Sequence, residues 1–144
     1  MTGRDPPAVV IHSLADARRA LAPGRPVTLL SGEGAALYAG CGWWQALLRI
    51  IRAEFPQVLI ADLLDCGGAS GQAVAALRIG LRHLVLHPDA PGHERVAVIV
   101  AGLGGVLLSE RPQALDLADP ASHHRLHDWV QARGGPDDRH DPLR

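Results

Sequence analysis

Apolar residues along the chain alternate between two patterns. Short β-branched or leucine-rich runs are separated by longer stretches in which apolar positions recur at the helical period. "VVIH" (9–12) is predicted to be a first strand and "SLADARRALAPG" (13–24) a short helix, with Ser13 as N-cap and Pro23-Gly24 as its stop. "VTLLS" (27–31) reads as a second strand between Pro26 and Gly32. A helix starting within 35–43 and ending before Pro56 follows. Its stripe carries Trp44, Leu48, Ile51 and Phe55, flanked by Trp43, Leu47 and Ile50, with Gln45, Arg49 and Arg52 opposite. That apolar arc is wider than the roughly 100° that one core contact needs, so a second partner such as another subunit is expected to cover the excess.

"VLIADLLD" (58–65) is predicted as a third strand, Ser70 as the cap of "GQAVAALRIGLR", and "HLVLH" (83–87) as a fourth strand stopped by Pro88. The run 91–105 is ambiguous, because its β-branched core also suits a strand. Val96, Ile99, Val100 and Leu103 match i, i+3, i+4 and i+7, and Pro91 suits a first helical turn, so a helix is preferred, with "VLLS" (106–109) as the fifth strand. Asp119 as N-cap, Pro120 at the first position, and Gly134 and Pro136 beyond the end bound a final helix, with residues 135–144 as a flexible tail. Alternation of this kind predicts one α/β domain over residues 1–134. It should be three-layered, with about five mostly parallel strands and helices on both faces, flavodoxin-like or half-barrel-like.

Composition narrows the functional classes. A chain of 144 residues that is 47% apolar and carries a formal charge of −1 suits one globular domain and gives no electrostatic case for nucleic acid or an anionic membrane. No apolar run is long enough to span a bilayer, and the N-terminus lacks a signal peptide's apolar stretch. The two cysteines do not form a disulfide framework, so a cytoplasmic location is expected. All fourteen basic residues are arginines. Schiff-base chemistry, a lysine-anchored pyridoxal group and a P-loop lysine are therefore outside the reach of this chain alone, and no cofactor is expected.

The loop "GEGAALYAG" begins as G-x-G, but Leu37 stands where the dinucleotide pattern needs its third glycine. Ser31, Gly32 and Gly34 remain candidates for holding an anion on free backbone N–H groups, against the simpler reading of a structural turn. Parallel strands would gather Ser31 and Glu33, Asp65 and Cys66, His87 and Asp89, and Ser109, Glu110 and Arg111 at their C-terminal ends, where open α/β sheets bind ligands. Asp65, Cys66, His87 and Glu110 are the candidate catalytic residues, Cys66 with His87 as a thiolate–imidazole pair and the two acids as acid/base or hydrogen-bonding groups. Arg111 is a candidate for binding a carboxylate or phosphate. Against these stand a buried structural cysteine, a turn-completing histidine and a local ion pair. Tyr38 and Trp43 are candidate interface residues. His123 and His127 lie four apart, but with Leu126, Trp129 and Val130 marking the buried face they read as solvated, and no metal site is expected.

Residues 54–111 pair an acidic strand end with "A-A-L-x-x-G" in the helix and "L-V-L-H-P" after it. This pattern resembles consecutive βα units of phosphate-binding (β/α)8 barrels, particularly keto-deoxy-phosphogluconate aldolases. The resemblance implies a C-terminal strand-end binding rim; the aldolases' Schiff-base lysine has no counterpart here. The expectation is a non-enzymatic self-associating or partner-binding domain, a homodimer, with a small-anion site at the C-terminal strand ends. The alternative is a lyase- or isomerase-like enzyme acting on a small carboxylate or phosphate.

Overall fold

The computed structural model describes residues 5–133. Six strands form one sheet: β1 (Ala8–Ile11), β2 (Val27–Ser31), β3 (Ile60–Asp65), β4 (His83–Val85), β5 (Val106–Leu108) and β6 (Ala114–Asp116). Their order is β5-β4-β3-β2-β1-β6, and every pairing is parallel. The layered α/β build expected from the alternating pattern is therefore present, with six strands where five were expected. The sixth, Ala114–Asp116, pairs with β1 in the register Ala8–Ala114, Val9–Leu115 and Val10–Asp116.

The helices are α1 (Leu14–Leu21), α2 (Ala35–Tyr38), α3 (Cys41–Glu54), α4 (Ser70–Arg78), α5 (His93–Gly102) and α6 (Leu126–Arg133). α1 is capped as its sequence suggests, the Ser13 hydroxyl accepting from the Asp16 N–H at 3.1 Å. Within the 91–105 run, His93–Gly102 is helical as preferred, with Val96 and Val100 buried and Ile99 and Leu103 of the same apolar series exposed. The helix expected to start within 35–43 and end before Pro56 is α3, Cys41–Glu54; Gly40, at φ 91°, separates it from the short α2. Asp119 caps and Pro120 opens the last helical segment as expected, but its first six residues, Pro120–Arg125, are 3-10 and only then does α6 begin. Ala69 is the N-cap of α4; Ser70 is its first residue, and its hydroxyl donates to the Pro91 carbonyl. The expected stop residues Gly134 and Pro136, and the 135–144 tail, lie outside the described residues.

β1 and β2 are buried at every position, which is why their sequences are continuous apolar runs rather than alternating ones. Period-two alternation sends their side chains to two clusters. The larger one joins Val9, Ile11, Leu29, Leu64 and Leu84 to buried residues of all six helices, including Ala17, Ala36, Trp44, Ile51, Ala73, Val96 and Val130. The smaller one takes one side chain from each strand: Val10, Leu30, Leu63 and Val85, with Leu108 and Ala114 packed against them. At the foot of β5, a Cβ on Gly105 would overlap the Arg82 carbonyl and lie 3.1 Å from Val100 Cγ1, so only glycine lets the α5–β5 turn pass there. Among the described residues, no helix is long and apolar enough to cross a membrane.

Candidate functional site

Because all strands run the same way, their C-terminal ends share one edge of the sheet. That edge carries His12 after β1, Ser31 and Gly32 at β2, Asp65 at β3, His87 beyond β4, Ser109 to Arg111 after β5, and Asp116 at β6. The sequence-predicted rim therefore exists, and two residues not singled out from sequence, His12 and Asp116, stand on it.

Asp65 organises the centre. It is 3% exposed, and its Oδ1 accepts the N–H groups of Gly34 at 3.1 Å and Gly67 at 2.7 Å. Its Oδ2 accepts Arg111 Nη1 at 2.8 Å, and the same nitrogen donates to the Ser31 carbonyl at 3.1 Å. The Ser31 hydroxyl accepts the Asp65 N–H at 2.9 Å and donates to the Gly32 carbonyl at 3.0 Å. Ser31, Gly34, Asp65 and Arg111 are thus brought together, but as a brace: the buried carboxylate ties the β2 and β3 loops to the segment following β5. A carboxylate whose oxygens are taken up by two N–H groups and a guanidinium has no free position to offer a substrate. Asp65 orders the site; the acid/base role considered for it does not fit.

Beside the brace lies a cleft of about 290 Å³ lined by Glu33, Asp65, Gly67, Val85, His87, Pro88, Ser109, Glu110 and Arg111. Arg111 Nη1 is engaged by the brace, while Nε and Nη2 have no hydrogen-bond partner among the described residues. Glu33 and Glu110 are exposed at the cleft margin. With Asp65 matched by Arg111, these two leave the cleft net negative, which disfavours a multiply charged anion and favours a ligand that also carries donors. His87 lines the cleft and completes a turn, its Nδ1 accepting the Asp89 N–H at 3.1 Å and its own N–H donating to the Gly67 carbonyl at 2.7 Å. Ser109 Oγ lies 3.3 Å from His93 Nε2.

Cys66 is elsewhere. It is fully buried in the helix-side cluster, its Sγ nearest the Leu64 carbonyl at 3.9 Å, and it does not line the cleft. Burial, with smaller contributions from Asp65 and Cys41, pushes its thiol up to about 12. A thiol held protonated in a core is not a nucleophile, so the expected pair with His87 is corrected to a packing cysteine. Gly32 and Gly34 serve chain reversal and close approach; Gly34, at φ 68°, presents its N–H to Asp65 rather than to a free anion.

Trp43 is half-buried against the core, its ring 5.8 Å from that of Trp44. Tyr38 is 67% exposed, although its hydroxyl turns inward over Gly32. His124 and His127 are exposed, and His123 Nε2 lies 3.0 Å from the Leu117 carbonyl. Among the described residues, no group of three or more His, Cys, Asp or Glu could hold a metal ion.

His12 and Asp116 form the other polar centre. His12 Nε2 meets Asp116 Oδ1 at 2.8 Å, and that oxygen also accepts the Ala118 N–H at 2.9 Å. Burial raises the Asp116 carboxyl, but the Ala118 N–H, the His12 hydrogen bond and the charges of His12 and Arg111 outweigh it and hold the group below its ordinary value. His12 is the last residue of "VVIH", so its place at a strand end was visible in the sequence. Its partnership with Asp116 was not, because that depends on β6 pairing with β1.

The fold and rim define a parallel α/β protein with a polar strand-end cleft. No protein-family model matches the chain, and no curated protein sequence matches it.

Proposed function

We propose that this chain is a small-molecule-binding α/β domain whose ligand sits in the strand-end cleft and presents one anionic group to Arg111. The carrying observation is the placement of Arg111. Buried Asp65 fixes one guanidinium nitrogen, which aligns the rest of a side chain that is itself only partly exposed, with Nε and Nη2 left for a carboxylate or a single phosphate oxygen. Glu33, Glu110 and Ser109, which line the same cleft, favour hydroxyl or ammonium groups elsewhere on the same molecule. This narrows the small-anion expectation to a polar ligand of mixed character.

The test uses γ-aminobutyrate, succinate and inorganic phosphate as probes in backbone amide NMR titrations. γ-Aminobutyrate is expected to shift the Gly67, Ser109 and Arg111 signals. Glu33→Gln with Glu110→Gln should weaken that response and strengthen the response to succinate. If none of the three probes moves those signals at tens of millimolar, the binding reading fails.

Self-association is a second reading. Leu37, Tyr38 and Ile50 remain exposed on the α2–α3 segment, at 58%, 67% and 45%. The support comes from these residues rather than from half-buried Trp43. Light scattering behind size exclusion should give a dimer mass for the wild type and a monomer mass for Leu37→Glu; a monomeric wild type at high concentration removes this reading.

A further inference from the structure

Ser109 lines the cleft of about 290 Å³ and has a histidine within reach. His93 does not line the cleft, but its Nε2 lies 3.3 Å from Ser109 Oγ. A serine hydroxyl that borders ligand space and meets an imidazole nitrogen, at the loose distance common in unliganded sites, is the pairing of a nucleophile with its base. Two regular elements place the pair, rather than a third side chain. Ser109 follows Leu108, the last residue of β5, whose carbonyl accepts the Leu86 N–H at 2.9 Å. His93 opens α5; Gly92, at φ 77°, turns the chain into the helix, and the His93 N–H donates to the Ala90 carbonyl at 3.0 Å. Neither side chain takes part in the Asp65–Arg111 brace. The Glu110 N–H, next after Ser109, makes no hydrogen bond among the described residues, and Glu110 lines the cleft as well. A backbone N–H directly after a nucleophile is a donor that acyl-transfer sites use for the charge formed on the substrate oxygen.

We propose that Ser109 is a nucleophile, with His93 as its general base, for the hydrolysis of small esters that carry a carboxylate, the carboxylate held by Arg111 in the cleft. Ser109 Oγ attacks the ester carbonyl carbon while its proton passes to His93 Nε2; the neutral ring carries its own proton on Nδ1. The carbonyl electron pair moves onto oxygen, which takes the Glu110 N–H. As the pair returns, the bond to the alcohol oxygen breaks, and His93 gives that oxygen its proton. The acyl group now sits on Ser109. Water, the co-reactant, attacks in the same way: Nε2 takes its proton and returns it to Ser109 Oγ, releasing the acid. No electrons are gained or lost. The carboxylate end of the substrate rests on the binding reading above; the nucleophile and base do not.

The experiment follows nitrophenolate release from the 4-nitrophenyl monoester of succinate, which bears a carboxylate for Arg111, and from 4-nitrophenyl acetate, which does not. The wild type is expected to cleave the succinate ester on the order of a hundred-fold faster than Ser109→Ala, the lower end of a positioned base's effect. That comparison keeps every histidine, so hydrolysis by exposed imidazoles cancels. His93→Gln should lose most of the same excess. Ser109 is exposed and His93 only half-buried, so both variants should melt as the wild type does. A fluorophosphonate should label Ser109, located by peptide mass spectrometry, and should fail to label it in His93→Gln. Succinate titrated into the same samples reports binding separately, through the Gly67 and Arg111 amide signals. Shifts in those signals without ester cleavage or labelling overturn this inference alone; absence of all three overturns it together with the binding reading. Equal cleavage of both esters overturns the carboxylate assignment, and a Ser109→Ala variant as fast as the wild type overturns the nucleophile outright.

Discussion

The brace between Asp65 and Arg111 can be weighed by removing either partner and then both. Asp65 is 3% exposed, and the Arg111 side chain is 25% exposed. In Arg111→Met the carboxylate keeps the Gly34 and Gly67 N–H groups but loses the one cation it meets among the described residues, so a buried charge is left partly compensated. Breaking a fully buried pair costs about 3–5 kcal/mol. Solvent reaching Arg111 and the two remaining donors reduce this to about 2–4 kcal/mol, because the carboxylate keeps its hydrogen bonds from the backbone. Asp65→Asn should cost a comparable amount, since the amide must turn a donor toward Arg111 or toward a backbone N–H. The double variant should then be less destabilised than the sum, by about 2 kcal/mol of coupling. Urea unfolding at neutral pH is the assay. With a slope of about 1.5 kcal/mol/M, the single Arg111 variant should lower the midpoint by about 2 M without changing the slope. A coupling below about 0.5 kcal/mol, the size found for exposed pairs, would refute the idea that this ion pair orders the cleft.

Cys66 supplies a pH test. Its thiol is raised from 9.0 to about 12 in the folded chain, so above pH 9 the unfolded state loses a proton that the folded state keeps. The stability tied to this thiol is complete below pH 9 and falls as pH rises toward 12, by at most about 1.4 kcal/mol per pH unit. Cys66→Ala should flatten that slope in urea titrations; an identical slope in the variant counts against a buried, protonated thiol. The same burial predicts that Ellman's reagent finds Cys66 only after denaturation, and rapid reaction of both thiols in the native protein would contradict it. Gly105→Ala places a Cβ against the Arg82 carbonyl and should cost about 1–3 kcal/mol, read as a lowered melting temperature. A neutral result would mean that the α5–β5 turn has slack the packing does not suggest.

Most of the framework was legible because each strand and helix signals itself locally. The 91–105 run is instructive. Its β-branched composition pointed one way and its apolar period the other, and the helix formed because Val96 and Val100 can both reach the core from one face. The sixth strand left no comparable mark. Residues 114–116 directly follow Arg111-Pro112-Gln113, are too few to show alternation, and form a strand only because β1 offers an unpaired edge to them. The break at Gly40 falls inside the 35–43 window left open for the helix start, and the buried stripe begins only beyond it, at Trp44.

The site was legible as a rim but not as a set of partnerships, and the difference has a physical cause. Strand parity separates Asp65 from Cys66: adjacent residues point to opposite faces, so a carboxylate turned toward the strand-end brace obliges the next side chain to enter the helix-side core. That alternation is a property of the sequence itself, and it sets the cysteine apart from the rim residues. Arg111, by contrast, reaches Asp65 across 46 residues of sequence, and His12 reaches Asp116 across 104. Each contact depends on where the chain goes after β5, crossing from one edge of the strand order to the other before it pairs with β1. The same crossing carries Arg111 past the β2 and β3 ends and then sets Asp116 beside His12. One topological event therefore assembles both polar centres, and a substitution that loosens β6 from β1 should disturb the His12 contact without touching any residue that lines the cleft.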